Sequence, residues 1–148
     1  AGRVSAGLRA LVRRCGRPIL AVPPTAPMPS RALLAYDGSP KAREALFIAT
    51  YLAERWTMPL HVVTVETAHT PATREVEVRQ YLAQLGIEAS YSLCQPPIAE
   101  ALLRARATHD ADLIIMGGYG YGVVRAAMLG SAVNGVLEAA PCAVMICR

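Results

Sequence analysis

No apolar run in the chain approaches the ~20 consecutive residues that a membrane-spanning helix needs; the longest are short and interrupted. Cysteine is scarce and poorly spaced for a framework. Cys15, Cys94, Cys142 and Cys147 form no CxxC pair and sit inside apolar segments, which disfavours a disulfide scaffold and a zinc site alike. They read as small buried hydrophobes in a reducing compartment. A secretory leader also lacks its apolar centre: Pro18 to Val22 is too short, and Arg13, Arg14 and Arg17 interrupt what precedes it. The expectation is a soluble, cytoplasmic protein. Acidic residues are absent from residues 1–30, where Arg3, Arg9, Arg13, Arg14 and Arg17 give +5. Residues 31–148 hold ten Lys/Arg against eleven Asp/Glu, or −1, so the net +4 belongs to the N-terminal segment. A nucleic-acid partner for the main domain loses most of its support.

What is present is a core. Hydrophobic content of 53% with 18% charge in 148 residues points to about one globular domain. From Arg31 the pattern alternates strand and helix. "RALLAY" leads to Asp37-Gly38, and "SPKAREALFIATYLAERW" follows as a helix with Ser39 as cap and Pro40 in its first turn. Ala42, Ala45, Leu46, Ala49, Leu52 and Ala53 make its apolar stripe. "LHVVTVE", "IEASYSLC", "ADLIIMG" and "CAVMIC" read as further strands. "PATREVEVRQYLAQLG", "PPIAEALLRARATH" and "SAVNGVLEAA" read as helices, the first stopped at Gly86. Such alternation implies an α/β fold with a five-stranded parallel sheet and helices on both faces, its ligands at the carboxyl ends of the strands.

Residues 1–30 do not begin this pattern. Slid by 125 positions, "SAGLRALVRRCGRPILAV" lies without gaps over "GSAVNGVLEAAPCAVMIC", with Leu8 on Val133, Leu11 on Val136, Ile19 on Val144 and Leu20 on Met145. Chance likeness of two amphipathic helices is one explanation. The other, which we adopt as the expectation, makes residues 1–24 the last helix and strand of a preceding copy, residues 25–30 a linker, and residues 31–148 the domain.

"MGGYGYGVVRAAMLGSA", Met116 to Ala132, holds five glycines behind a strand. Their spacing is Gly117-x2-Gly120-x9-Gly130-Ser131. Glycines let backbone N–H groups converge on an anion, and a helix opening at Ser131 would add its dipole. The lysine of a GxxxxGK[ST] loop is missing, and the dinucleotide GxGxxG spacing fails. Taken alone, the stretch is equally a loose turn capped by serine.

With its surroundings the stretch resembles the ATP-binding branch of the universal stress protein family, whose signature is G-x2-G-x9-G-[S/T]. The "DGS" after the first strand, "ADLIIMG" before the signature and the "AAPCAVMIC" ending agree. The resemblance implies a Rossmann-like sheet of order 3-2-1-4-5 that holds ATP, with Mg²⁺ bound mainly through phosphate oxygens and water. By resemblance, Asp37 contacts the ribose and adenine side and Val65 lies beside the adenine. Met116 and Gly117 start the signature, Gly120, Gly130 and Ser131 form the phosphate cradle, and Ala132 is a further cofactor-binding residue. Two departures stand out: Gln95-Pro96-Pro97 keeps only the last proline of the family's G-x-P turn, and Thr67 to Thr73 is short.

Other side chains read as bystanders. Asp37 also suits a plain Asp-Gly-Ser turn. Arg125 reads as solvated, His69 as a loop residue on the ligand side, and His109 as lying at the far end of the sheet. Tyr119 and Tyr121 suit either a cover over the triphosphate or a surface contact. No nucleophile–base pair is visible. The expected function is an ATP-binding regulatory or stress-response module. A slow ATPase or phosphotransferase and a nucleotide-free dimerisation scaffold are the alternatives. Pro18–Val22 is expected to pair with Ala143–Cys147, within one chain or between two, as a homodimer or pseudo-dimer.

Overall fold

A computed structural model describes residues 4–118 and 123–148 of the chain, with the backbone alone for 123–129. The elements run α1 (Ala6–Arg14), β1 (Ile19–Ala21), β2 (Ala32–Ala35), α2 (Pro40–Trp56), β3 (Leu60–Val65), α3 (Thr73–Gln84), β4 (Ala89–Cys94), α4 (Ile98–Thr108), β5 (Leu113–Gly117), α5 (Val123–Ala139) and β6 (Ala143–Cys147).

Local chemistry accounts for most of the boundaries. Ser39 caps α2 by accepting a hydrogen bond from the Ala42 N–H at 3.2 Å, and Pro40 supplies a pre-set first turn. Thr57, in the left-handed region at φ 50°, follows its last residue. Gly86, at φ +69°, turns the chain out of α3 toward β4. The last helix departs from expectation. It begins at Val123 rather than at Ser131, because Arg125-Ala-Ala-Met-Leu129 is a run of strong helix formers that extends it upstream.

The strands form one sheet of order β1-β6-β5-β2-β3-β4. β4, β3, β2, β5 and β6 pair in parallel, while β1 joins β6 antiparallel. The sheet is thus six-stranded and mixed, which corrects the expected five-stranded parallel sheet. β1 is the cause: it satisfies the free edge of β6, whose N–H and C=O groups would otherwise lack partners. The expected pairing of these segments occurs within the chain, with Ile19 opposite Ile146, Leu20 opposite Met145 and Ala21 opposite Val144. Leu20 and Met145 are also equivalent under the 125-residue offset. Two like segments therefore meet about a local twofold axis.

Both faces of the sheet are covered, so its strands are apolar on both sides. Leu34, Val62 and Ile115 pack against α2 and α3. Leu33, Val63 and Ile114 pack under α4 and α5. Val12 of α1, 1% exposed, joins that second layer. Its burial contributes roughly 1.5–3 kcal/mol toward holding the N-terminal segment in place. All four cysteines are free, and burial pushes the Cys147 thiol up to about 12. Among the described residues no helix is long and apolar enough to cross a membrane.

Candidate functional site

At the carboxyl end of β2 the chain makes the tight turn Asp37-Gly38-Ser39. The Ser39 N–H donates to Asp37 Oδ1 at 2.9 Å, and Gly38 takes φ +77°, a conformation that L side chains avoid. One carboxylate oxygen therefore belongs to the turn. Tyr36, buried just before it, donates its hydroxyl to Glu77 Oε1 at 3.0 Å. Arg74 Nη1 donates to the other oxygen of Glu77 at 2.6 Å and, with help from Tyr36, holds that carboxyl below its ordinary range. Burial, then Glu77, raises the Tyr36 hydroxyl. This network ties the first turn of α3 to the turn after β2.

Beside the turn a crevice opens between the carboxyl ends of β2, β3 and β5 and the helices α4 and α5. Asp37, Val65, Met116, Gly117 and Ala132 line it together. Val65, Met116 and Ala132 are buried and apolar. Five of the eight expected residues thus meet at one place. Gly130 and Ser131 are not among the lining residues. Ser131 is exposed and lies inside α5, eight residues beyond Val123. Its reading as the residue that opens the helix is corrected, and the dipole argument made for it falls with that reading. Gly120, Tyr119 and Tyr121 lie outside the described residues, as does the side chain of Arg125.

The glycines at the end of β5 have contacts that the sequence did not disclose. A Cβ on Gly117 would stand 3.0 Å from Lys41 Cβ and 3.1 Å from the Ala42 nitrogen, so its bareness lets β5 meet the first turn of α2. Gly118, which stands outside the signature spacing, donates its N–H to the Cys147 carbonyl at 2.6 Å. Its own Cβ would meet that oxygen at 3.1 Å.

The short segment after β3 folds back on itself: the Thr67 and Thr70 backbones pair, and Thr67 Oγ1 accepts from the His69 and Thr70 N–H groups. Thr67, His69 and Thr70 all line the crevice, so the segment forms a rim despite its length. Val63, Ile98 and Leu102 complete the apolar wall and were not anticipated. Val63 was recoverable, since it shares a face with Val65 at a spacing of two. Ile98 and Leu102, four apart on a helix, were visible as a pair but not as neighbours of β3.

A mostly parallel sheet whose crevice lies at the carboxyl ends of its central strands defines a Rossmann-like α/β protein. Residues 28–148 match the family model described as the universal stress protein family, and the chain belongs to that family. It is 34% identical over 132 residues to the universal stress protein in the QAH/OAS sulfhydrylase 3′ region of Thermus aquaticus, covering 78% of this chain and 96% of that one. It is 27% identical over 143 residues to universal stress protein Slr1230 of Synechocystis, covering 93% of this chain. There the chain spans about half the relative's length, 49%. Among solved structures, a universal stress protein from Archaeoglobus fulgidus superposes with a TM-score of 0.81 at 24% identity, over 95% of this chain and 52% of that one. Two others of the same fold were solved with adenine nucleotides. A universal stress protein in complex with cAMP has TM-score 0.64 at 17% identity, covering 81% of this chain and 97% of that one. A different, shorter universal stress protein chain from Archaeoglobus fulgidus, in complex with dAMP, has TM-score 0.62 at 18% identity, covering 80% of this chain and 97% of that one.

Proposed function

We propose that the crevice binds ATP, and that the chain acts in the cytoplasm as a nucleotide-dependent regulatory module of the stress response. The observation that carries this reading is the convergence of Asp37, Val65, Met116, Gly117 and Ala132 on one crevice at the strand ends. The residues fit the nucleotide: Val63, Val65, Ile98 and Leu102 offer an apolar slot for a flat base. Asp37 Oδ2 remains for a ribose hydroxyl, because Oδ1 is taken by the turn. Among the described residues no group of three or more His, Cys, Asp and Glu could hold a metal ion, so Mg²⁺ would arrive on the phosphates and neutralise their charge. Gly120, Gly130 and Ser131 enter the proposal through the family pattern alone. The antiparallel pairing of β1 and β6 about equivalent residues supports reading residues 1–24 as the end of a preceding copy, which makes the present contact a pseudo-dimer.

Calorimetric titration of ATP into the purified chain tests the proposal. Asp37→Asn keeps an oxygen for the Ser39 N–H and removes the charge; an affinity loss of about tenfold is expected. Absence of ATP binding by the unmodified chain overturns the reading in favour of a nucleotide-free scaffold. Phosphate release from the bound nucleotide would move it to the slow ATPase. Ser131→Ala decides whether that residue belongs to the site: unchanged affinity removes it.

A further inference from the structure

A second groove runs between α4 and the edge strand β4, and its cavity of about 410 Å³ falls in the size range of small-molecule sites. Ser92, Cys94, Pro97, Arg104, Thr108 and His109 are among its lining residues, and no lining residue carries a carboxylate. The Glu66 carboxylate, itself outside the lining, accepts from the Gln95 amide at 3.1 Å. Arg104 is exposed and makes no ion pair among the described residues.

Behind the groove lies His61, 4% exposed, with its ring stacked on His109 at a centroid distance of 3.5 Å. Its Nδ1 is 2.6 Å from Ser90 Oγ and its Nε2 is 2.9 Å from Ser92 Oγ. Burial, then the neighbouring His109, holds the imidazole down to about 4, so it is neutral at pH 7. A neutral imidazole has one N–H and one bare nitrogen. Hydroxyl donors make the shorter bonds and N–H donors the longer ones. In the tautomer with its proton on Nε2, Ser90 donates to Nδ1 and Nε2–H donates to Ser92. In that tautomer Ser92 accepts from the imidazole and keeps its own hydrogen for the groove.

We propose that this groove is a second ligand site, taking a small organic anion whose phosphate or carboxylate meets Arg104 and the Ser92 hydroxyl. Its apolar body lies on Ala101, Ala105 and Pro97, which floor the groove. The site is independent of the nucleotide crevice, and the three histidines separate the two: His69 lines the crevice, while His109 lines the groove and His61 stands behind it.

The test is a titration of the whole chain with phenyl phosphate, with benzoate and with neutral phenol, followed by nitrogen-15 NMR of the histidine side chains. Saturable shifts of His109 and His61 with either anion, His69 unmoved and phenol without effect, are expected; the tighter anion identifies the oxyanion. Arg104→Gln, at an exposed position, removes a charge-assisted contact and should weaken binding by about tenfold or more. Ser92→Ala should weaken it less. The proposal is overturned if neither anion moves His109, if His69 alone responds, or if Arg104→Gln binds as the unmodified chain does.

Discussion

The two ends of the sheet are built on opposite plans. At the carboxyl ends the backbone is stripped of side chains: Gly38, Gly117 and Gly118 stand there, and the crevice lies beside them. At the amino ends the strands are cross-tied by polar side chains. Asp112, just before β5, accepts from the Ser30 N–H at 2.8 Å, the Ser30 hydroxyl at 2.6 Å and the Arg31 N–H at 2.7 Å. It thereby locks the entry to β2 against β5. His61, near the start of β3, reaches Ser90 and Ser92 on β4. The difference teaches where this fold leaves room: one end ties its strands together through polar side chains, and the other sets bare backbone and the Asp37 turn beside the crevice.

The largest effect should come from filling the bare end. Gly117→Val puts a branched side chain where a single Cβ already stands 3.0 Å from Lys41 Cβ and 3.1 Å from backbone of α2. Because that backbone cannot swing aside as a side-chain tip would, a stability loss of about 3 kcal/mol is expected. Urea unfolding measures it. A loss under about 1 kcal/mol would mean that β5 and α2 are not held together there.

Untying the amino end should cost less. Burial raises the Asp112 carboxyl, but the hydrogen bonds from Ser30 and Arg31 outweigh it and leave the group below its ordinary value. Asp112→Ala removes three bonds to a charged acceptor at a partly exposed position, and about 2 kcal/mol is expected near neutral pH. The pH dependence carries a sign. A depressed carboxylate stabilises above its unfolded value, about 3.9, and that contribution disappears as pH falls through the lower folded value. The gap between the unmodified chain and the variant should hold down to about pH 4 and close in more acidic solution. A gap that persists at strongly acid pH would trace the effect to packing.

The same division marks how much was legible in the sequence. The turn Asp37-Gly38-Ser39 was readable because most of its chemistry is local: an Asx bond two residues long, a left-handed glycine and a cap three residues long. The strands and the stripe of α2 followed from period alone. The start of α5 was not readable, since the glycine spacing favoured Ser131 while the propensity of Ala126 to Leu129 favoured an earlier start, and propensity prevailed. Contacts that depend on register were hidden as well. Nothing within β3 or β4 announces that His61 lies opposite Ser90 and one pleat from Ser92. The rim residues Thr67 and Thr70 meet at the crevice because the loop folds back on itself.

The smallest effect tests how the open end is set. Gly38 combines two demands, a φ of +77° and the Arg74 side chain, whose Cδ and Nε would lie 2.6 Å from a new Cβ. The backbone demand alone costs about 1 kcal/mol for alanine. The steric demand is softer, because Arg74 can swing away at the expense of its exposed ion pair with Glu77, worth at most about 1 kcal/mol. Gly38→Ala should therefore lose about 1.5 kcal/mol in the unmodified chain and about 1 kcal/mol in the Arg74→Ala background. Equal losses in the two backgrounds would assign the glycine to the turn alone. A loss that all but vanishes in the Arg74→Ala background would mean that Arg74, packed over the turn from α3, is what requires a bare backbone beside Asp37.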